Sequence, residues 1–373
     1  MMTLGILGGG QLARMLCLEA RRMGVRTVVW SGTPTAEPTE GVADILIKRK
    51  FDDVEAHEEF CRQVDVATVE FENIPLETLR KVEEAVGLYP SAESIGISQH
   101  RSREKTFLRE HGIPCAPFAL VGTLDELKLA YQEVGPATVL KTAAFGYDGK
   151  GQVKITAADQ LEAAWESVQG ELSVLEGFVD FQCEVSVLVA RDKDGQCLAF
   201  PVAENEHRNH ILDLTIVPAR VSQETLQEAE ETAIRLADEL NYRGLLAVEF
   251  FVEKSGRVVV NEMAPRPHNS GHFTMNACVT SQFEQQLRSV CGLPLGSPEL
   301  LSDTVMVNLL GDMWNPDLKV AEIHGTEGAK LHLYGKSSPG ERRKLGHVNV
   351  VGGDNVEARS RALKDKLLSL KKS

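Results

Sequence analysis

The sequence predicts an α/β domain at the N-terminus, followed by an α+β region. Over the first hundred residues strand and helix patterns alternate, which is the βαβ order of an open parallel sheet. From about residue 118 short strands follow one another with few helices between them, which favours antiparallel pairing. A chain of 373 residues is also too long for a single compact core, so we expect two or three subdomains.

The N-terminal elements follow from apolar periodicity and from the residues that end each run. Gly24 closes the first helix, and Gly112 with Pro114 closes the last one of this region. The predicted strands are Thr3–Leu7, Val25–Trp30, Ala43–Ile47 and Val66–Glu70, and the predicted helices are Gln11–Met23, Pro75–Val86 and Arg101–His111.

The second region is predicted to be richer in strands and to end in a small mixed tail. Its predicted helices are Asp159–Ser167, the amphipathic Glu224–Leu240 and the basic Asn355–Lys371. Its predicted strands are Ala137–Thr142, Gln152–Ile155, Ser173–Val179, Glu184–Ala190, Gln196–Pro201, Leu245–Val252 and Arg257–Glu262.

Composition excludes several classes of protein. Apolar residues make up 43% and charged residues 25%, which is ordinary for a soluble globular protein, and we expect no membrane span. No basic stretch precedes the first apolar strand, so we expect no signal peptide. The seven cysteines are scattered and never spaced C-x-x-C, which favours a reducing cytoplasm over disulfides or zinc. The net charge of −14 argues against nucleic acid as a partner.

A glycine turn, Gly8-Gly9-Gly10, lies between the first strand and the first helix. With Gln11-Leu12-Ala13 it fits the dinucleotide pattern G-x-G-x-x-A, but Trp30-Ser31 stands where the acid that holds a ribose is expected. A tight turn that only packs the helix is a second interpretation. The third, which we favour, is a site for the phosphate or another anion of a substrate that is not a dinucleotide.

A second glycine loop, residues 143–151, joins two predicted strands and is flanked by Lys141. It is not a Walker loop, because no G-K-[ST] leads into a helix. A glycine loop on a hairpin can close over phosphates and donate backbone N–H groups, while Lys141 and Lys150 add positive charge. A plain surface turn is the alternative.

Two glutamates are predicted to face each other across the hairpin of residues 245–262. If Ser255-Gly256 is a two-residue loop, Lys254 faces Arg257, and counting outward places Glu249 opposite Glu262. Facing side chains have Cβ atoms about 5 Å apart, so two buried carboxylates there repel each other. A divalent cation, most simply Mg²⁺ bridging nucleotide phosphates, would relieve the repulsion. A slip of one residue, or solvent, is the alternative.

The segment after Glu262 is stiffened by two prolines and contains several hydrogen-bonding side chains. A lone histidine in such a place is more often structural, but this cluster directly follows the glutamate pair. We therefore interpret it as a polar binding segment made of Arg266, His268, Asn269 and Ser270.

Taken together, these motifs resemble those of the carboxyaminoimidazole ribonucleotide synthases, over nearly the whole chain and in the same order. The likeness rests on the turn Gly8-Gly9-Gly10-Gln11-Leu12, the loop Gly146-Tyr147-Asp148-Gly149-Lys150-Gly151-Gln152, the pair Asn261-Glu262 and the run from Ala264 to His272. The loop and the last run are specific, whereas the first glycines alone are weak.

The resemblance implies an ATP-grasp fold, often assembled as a homodimer. It places a Rossmann-like pre-ATP-grasp domain at residues 1–100, an ATP-grasp domain at 101–290 and a small C-terminal subdomain at 291–373. The ATP-grasp domain would divide into a lid, at about 118–175, and a central subdomain that holds nucleotide and metal, at about 176–290.

The resemblance also implies site residues. ATP would be bound by Arg101, Lys141, Gly146, Tyr147, Asp148, Gly149, Lys150, Gly151, Gln152, Glu176, Gly177, Phe178, Val179, Glu184, His207, Asn261 and Glu262. Mg²⁺, or Mn²⁺, would be held by Glu249 and Glu262. The ribonucleotide would contact Glu70, with Glu72 kept open, and Tyr147, Asp148, Lys150, Arg266, His268, Asn269, Ser270, Lys336 and Arg343. The catalytic candidates are Asp148, Lys150 and Arg266.

The reaction implied is the carboxylation of aminoimidazole ribonucleotide by ATP and bicarbonate through carboxyphosphate, in purine synthesis. The substrates would be the partners of this chain. Another ATP-grasp ligase, a nucleotide-binding regulator without activity and an oxidoreductase are the alternatives. The intact glutamate pair disfavours the regulator, and Trp30-Ser31 disfavours the oxidoreductase.

Overall fold

A computed structural model describes residues 2–35, 37–144, 151–314, 317–338, 340 and 342–369. Its N-terminal layer is a parallel four-stranded sheet in the order β3-β2-β1-β4, which confirms the predicted α/β domain. The strands are β1 (Thr3–Leu7), β2 (Arg26–Gly32), β3 (Ile45–Lys50) and β4 (Val66–Val69). The helices are α1 (Gln11–Arg22), α2 (Val54–Cys61), α3 (Leu76–Val86), α4 (Ala92–Ser98) and α5 (Arg101–Glu110).

Strands β1 and β4 of the parallel sheet consist entirely of buried residues, as parallel sheets covered on both faces require, whereas the edge strand β3 is partly exposed. The sequence did not predict α2 and α4. Both are short and begin at polar capping side chains, since Asp53 accepts the N–H of Ala56 and Ser91 accepts the N–H of Ser94.

The next layer is a small antiparallel sheet in the order β5-β8-β6-β7 with two helices on it. It has its own core around Leu127, Leu140 and Leu175. Its elements are β5 (Phe118–Val121), α6 (Leu124–Val134), β6 (Thr138–Thr142), β7 (Gln152–Ile155), α7 (Leu161–Ser167) and β8 (Ser173–Gly177). We call this layer the lid.

The central layer is a nine-stranded antiparallel sheet, in which β10 pairs only with β9. The other strands follow the order β14-β13-β9-β11-β12-β15-β17-β16. They are β9 (Phe181–Arg191), β10 (Cys197–Ala199), β11 (Ala203–Arg208), β12 (Ile211–Val217), β13 (Gly244–Glu253), β14 (Val258–Ala264), β15 (Thr304–Leu310), β16 (Ala329–Leu333) and β17 (Lys344–Val351). The C-terminal strands thus continue the central sheet through the pairing of β12 with β15.

The remaining helices cover this sheet or its ends. They are α8 (Gln223–Glu239), α9 (Thr274–Ala277), α10 (Gln282–Val290), α11 (Val320–His324) and α12 (Val356–Ser369). Ion pairs fasten α12 to β11 and β12, because Arg361 contacts Glu206 and Lys364 contacts Asp213. Among the described residues no helix combines the length and apolar character that crossing a membrane requires.

Candidate active site

A cavity of about 750 Å³ lies where the three layers meet. Glu72 and Arg101 reach it from the N-terminal layer, and Lys141 reaches it from the lid. The sequence-predicted residues on its wall are Arg101, Lys141, Gln152, Glu176, Gly177, Phe178, Val179, Glu184, His207, Glu249, Asn261, Glu262, Arg266, His268 and Asn269. The wall extends in the chain from Glu72 to Lys344, so residues more than 250 positions apart are brought to one place.

Glu249 and Glu262 are paired directly across β13 and β14, as predicted, but for a different reason. The hairpin loop has three residues, since Gly256 N–H donates to Glu253 O and Glu253 N–H donates to Arg257 O. The expected facing of Lys254 and Arg257 is therefore wrong. A β-bulge beyond Phe250 inserts one extra residue in β14, and this shift restores the glutamate pairing.

The two carboxylates have the features of a site for a divalent cation. Glu249 is mostly buried, with 14% of its side chain exposed, whereas 47% of Glu262 is exposed towards the cavity. Burial, and then the charge of Glu262, raises the pKa of Glu249 to about 8. A cation such as Mg²⁺ would remove this conflict and leave further positions for phosphate oxygens and water.

Beside this pair, three cations surround the carboxylate of Glu176 at the end of β8. The Nζ atoms of Lys141 and Lys105 lie 3.1 and 3.4 Å from Glu176 Oε2, and a guanidinium nitrogen of Arg101 lies 3.9 Å from Oε1. Burial alone would raise the pKa of Glu176, but these cations lower it to about 2. Arg101 also lies 3.8 Å from Glu262 Oε2, so three cations stand next to the glutamate pair, an arrangement that suits the phosphates of a nucleotide.

Another part of the cavity wall combines an apolar slot with a polar pair. Phe251 stacks on Phe181 with ring centroids 4.5 Å apart, and Leu212 and Val179 line the same cavity. A planar base fits against such a surface. The polar pair is Glu184 with His207, whose Nδ1 lies 3.2 Å from Glu184 Oε1. Burial alone would lower the pKa of His207, but Glu184 raises it above its usual value.

A chain of buried hydrogen bonds fixes the orientation of His268. Asn205 Nδ2 donates to Ser186 Oγ at 2.9 Å, and Ser186 Oγ donates to Ser270 Oγ at 2.9 Å. The hydroxyl of Ser270 is then left to donate to His268 Nδ1, also 2.9 Å away. His268 therefore has its proton on Nε2, which lies 3.5 Å from Glu249 Oε1.

Arg266 forms a two-pronged ion pair with Glu72, with N–O distances of 2.6 and 3.1 Å. Burial alone would raise the pKa of Glu72, but Arg266 lowers it by its charge and hydrogen bonds. Glu72 lines the cavity. The two parallel hydrogen bonds of the ion pair hold the guanidinium of Arg266 in one orientation.

Glu70, by contrast, fills the N-terminus of α1. Its oxygens accept the N–H groups of Gly10 at 2.8 Å and of Ala13 at 3.3 Å. This accounts for the glycine turn, because a Cβ on Gly8 or Gly10 would lie within 3 Å of Glu70 atoms. At the end of β2, Trp30 Nε1 and Ser31 Oγ donate to backbone carbonyls, so neither is arranged to hold a ribose.

A basic loop that contains Lys336, Arg342 and Arg343 lies next to the first glycine turn in the structure. Lys336 Nζ donates to Gln11 Oε1 at 2.7 Å, which puts its charge at the start of α1. Burial, and then the charge of Arg343, lowers the pKa of Lys336 to about 8. Arg343 donates to Ser338 O and Oγ, at 2.9 and 2.7 Å.

Some predicted residues cannot be placed on the cavity wall. The candidates Gly146, Tyr147, Asp148, Gly149 and Lys150 lie outside the described residues. Gly151 is described, but residues 145–150 before it are not, so the predicted role of this loop stays a prediction. Ser270 is completely buried and contacts Ser186 and His268 rather than the cavity.

The sequence analysis missed several charged residues at the site. Lys105 and Glu104 on α5 are both buried, and the helix pattern alone gives no reason to expect buried charges there. Lys154, His210 and Lys344 also line the cavity. Of these residues, only Lys344 had a signal in the sequence, because it belongs to the basic run of residues 342–344.

Comparisons with known proteins agree with this architecture. Three family profiles match in chain order: the ribonucleotide synthetase preATP-grasp domain over residues 1–99, the ATP-grasp domain over residues 106–283, and the phosphoribosylaminoimidazole carboxylase C-terminal domain over residues 304–361. They confirm the predicted ATP-grasp fold with a pre-ATP-grasp domain before it.

Similar proteins extend over the whole chain. The N5-carboxyaminoimidazole ribonucleotide synthase of Bacillus subtilis is 44% identical over 351 residues, which cover 94% of this chain and 91% of the relative. The crystal structure of an ADP complex of purK, an N5-carboxyaminoimidazole ribonucleotide synthetase, matches with a TM-score of 0.93 at 42% identity, covering 100% of this chain and 98% of that one.

A more distant structure is the N5-carboxyaminoimidazole synthase of Aspergillus clavatus, in complex with ADP and 5-aminoimidazole ribonucleotide. It matches with a TM-score of 0.91 at 29% identity and covers 98% of each chain. The motifs, the three-layer fold and the near full-length identity lead to one conclusion. The chain belongs to the N5-carboxyaminoimidazole ribonucleotide synthases, a family of ATP-grasp ligases.

Proposed function

We propose that this chain catalyses the ATP- and bicarbonate-dependent carboxylation of 5-aminoimidazole ribonucleotide. The products are N5-carboxyaminoimidazole ribonucleotide, ADP and phosphate, as a step of purine biosynthesis. The observation that supports this best is the facing pair Glu249 and Glu262, set beside the cation cluster at Glu176 in one cavity. This arrangement suits the phosphates of ATP, and the relatives supply the identity of the acceptor.

ATP would lie with its base in the apolar slot at Phe251 and its ribose at Glu184 and His207. Its phosphates would then reach the cations of Arg101 and Lys141. Mg²⁺, or Mn²⁺, held by Glu249 and Glu262 would neutralise phosphate charge as the γ-phosphoryl group is transferred. The remaining predicted ATP residues belong to the glycine loop and to the 176–179 segment, together with Asn261.

The ribonucleotide would lie between Arg266 and the start of α1. The guanidinium of Arg266 is held by Glu72, so it is oriented before the substrate arrives. Lys336 and Arg343 would bind the 5′-phosphate through their own charges, beside the α1 N-terminus that Glu70 already fills. Between Glu70 and Glu72, we favour Glu72 as the acid at the ribonucleotide, because Glu70 is committed to the backbone of α1.

The chemistry begins with attack of a bicarbonate oxygen on the γ-phosphorus, which gives carboxyphosphate and ADP. The exocyclic amine of the ribonucleotide then attacks the activated carbon and phosphate leaves. Positioning and charge neutralisation dominate such transfers, and exclusion of water protects the short-lived intermediate. We propose Arg266 and Lys150 to stabilise anionic oxygens, and Asp148 or the released phosphate to accept the amine proton.

We further propose that the enzyme acts as a homodimer in the cytoplasm. The seven cysteines are all free in the structure, which suits a reducing compartment.

Ser270 would contribute through His268 rather than by touching substrate, since it is completely buried.

The test is substrate-dependent ADP release by the purified protein. ADP should form only when ATP, Mg²⁺, bicarbonate and 5-aminoimidazole ribonucleotide are all present, with one carboxylated product per ADP. Leaving out each substrate in turn provides the control. ADP formation with another amine and no response to the ribonucleotide would identify a different ATP-grasp ligase instead.

A further inference from the structure

The strand that presents Glu262 lies at an edge of the central sheet and has a bulge next to that residue. β14 ends the strand order, so among the described residues β13 is its full-length partner, and on the other side Val260 forms an isolated bridge with Cys115. The register with β13 shifts between Glu249 and Phe250, which leaves Asn261 as the extra residue of β14. A bulge on an edge strand is the part of a sheet whose backbone is least constrained by neighbouring strands.

Two consecutive buried side chains of helix α5 form hydrogen bonds to backbone groups of β14 at this edge. Lys105 Nζ donates to the carbonyl of Asn261 at 2.9 Å and lies 3.5 Å from the carbonyl of Val260. Glu104 Oε1 accepts the N–H of Met263 at 2.7 Å. The carbonyl of Pro114, just after α5, accepts the N–H of Val260 at 2.8 Å.

These contacts bracket Glu262 on both sides in the chain. Lys105 holds the peptide before it, and Glu104 holds the peptide after it. Lys105 is 0% exposed and Glu104 is 3% exposed, so both side chains are removed from water and make contacts with backbone. Burying an ionisable group is costly unless it is paired and hydrogen-bonded. Here both side chains bond to the backbone of β14, and Lys105 also pairs with Glu176.

We propose that Glu104 and Lys105 are positioning residues, which fix the bulge of β14 through its backbone and so hold the Glu262 carboxylate opposite Glu249. This inference rests on the proposed function, because it concerns a ligand of the metal that accompanies ATP. Neither side chain needs to touch the nucleotide. Their loss should weaken the binding of metal-loaded nucleotide more than the binding of nucleotide alone.

Glu104 provides the sharper test, since Lys105 also contacts Glu176 and so affects the phosphate region directly. We would measure by calorimetry the affinities for ADP with Mg²⁺ and for ADP with EDTA. Glu104→Leu should weaken Mg·ADP binding about tenfold, the order expected when a buried backbone N–H loses its acceptor. Its affinity for metal-free ADP should stay within about twofold of wild type.

Three further variants guard against a general folding defect. Glu104→Asp keeps the carboxyl group but shortens the side chain, so it should behave like Glu104→Leu. Glu104→Gln keeps an acceptor oxygen and should restore Mg·ADP binding to near the wild-type value. Glu110→Gln, at an exposed position of the same helix, is the matched control and should change nothing.

The outcomes separate the two proposals. If Mg²⁺ strengthens ADP binding equally in wild type and in both Glu104→Leu and Glu104→Asp, the positioning role is wrong and the proposed function stands. An equal loss for Mg·ADP and metal-free ADP also overturns the positioning role. If Mg²⁺ does not strengthen ADP binding even in wild type, the metal site itself is wrong, and the positioning role falls with it.

Discussion

Glu262 is the more exposed member of the glutamate pair and faces the cavity. We expect Glu262→Gln to lower ATP turnover by more than a hundredfold, because even residues that only support metal ligands cost about 10–100-fold when lost. The fold should survive, since the change is nearly isosteric and half of the side chain is exposed. ADP release and a thermal melt measure the two effects, and near-normal ADP release by a folded variant would contradict the metal assignment.

Arg343 lies in the basic loop that the structure joins to the start of α1. If it binds the 5′-phosphate, Arg343→Ala should raise the ribonucleotide KM about 10–100-fold, as expected for a charge-assisted hydrogen bond. The ATP KM should stay almost unchanged, because Arg343 is not on the wall of the ATP cavity. An equal rise in both Michaelis constants would place the loop elsewhere.

Lys336 gives this site a pH dependence. Its pKa is lowered to about 8, so its positive charge is present below pH 8 and is lost as the pH rises through that value. The kcat/KM for the ribonucleotide should therefore fall above about pH 8, while kcat/KM for ATP should not show the same decrease. In Lys336→Arg the decrease should disappear, since a guanidinium stays charged throughout this range. If the variant shows the same decrease, another group causes it.

At the scale of a single element, the start of α1 depends on one glycine. A Cβ at Gly10 would lie 2.7 and 2.8 Å from the two carboxylate oxygens of Glu70, so alanine there must displace that carboxylate. We expect Gly10→Ala to lower the free energy of unfolding by about 1.5–3 kcal/mol, the range for a lost hydrogen bond to a charge. Urea unfolding measures this.

The control for this prediction is Leu18→Ala, at a position of α1 where the side chain is 44% exposed. It should change the unfolding free energy by less than about 0.5 kcal/mol beyond its helix propensity. Gly10→Ala combined with Glu70→Ala should cost clearly less than the sum of the two changes, since both remove the same contact. Simple additivity would show that Gly10 and Glu70 act separately.

On the scale of the whole molecule, the cavity is built from all three layers, so its ligand should stabilise them together. Mg·ATP at about 100 times its Kd should add roughly 2.7 kcal/mol to the folded state by mass action. A thermal shift experiment should show this with Mg·ATP and not with NAD. Glu262→Gln serves as the control and should lose the part of the shift that depends on Mg²⁺. A shift with NAD and none with Mg·ATP would restore the dehydrogenase interpretation of the first glycines.

The sequence alone determined the features that depend on local pattern. Apolar periodicity located β1, α1 and the hairpin of β13 and β14, because burial of one face leaves a direct trace in residue order. The specific motifs pointed to the family, which the comparisons confirmed. The glutamate pairing was also predicted correctly, although its assumed two-residue loop was wrong and the bulge at Asn261 compensated for it.

Only the tertiary structure decided which distant residues meet. Local pattern gives no reason for a lysine and a glutamate in the middle of α5 to be buried, since such residues usually face water. It also cannot show that Lys336 reaches Gln11, 325 positions away, or that the C-terminal strands continue the central sheet. These contacts depend on how the layers pack, and packing is determined by the whole chain at once rather than by any one segment.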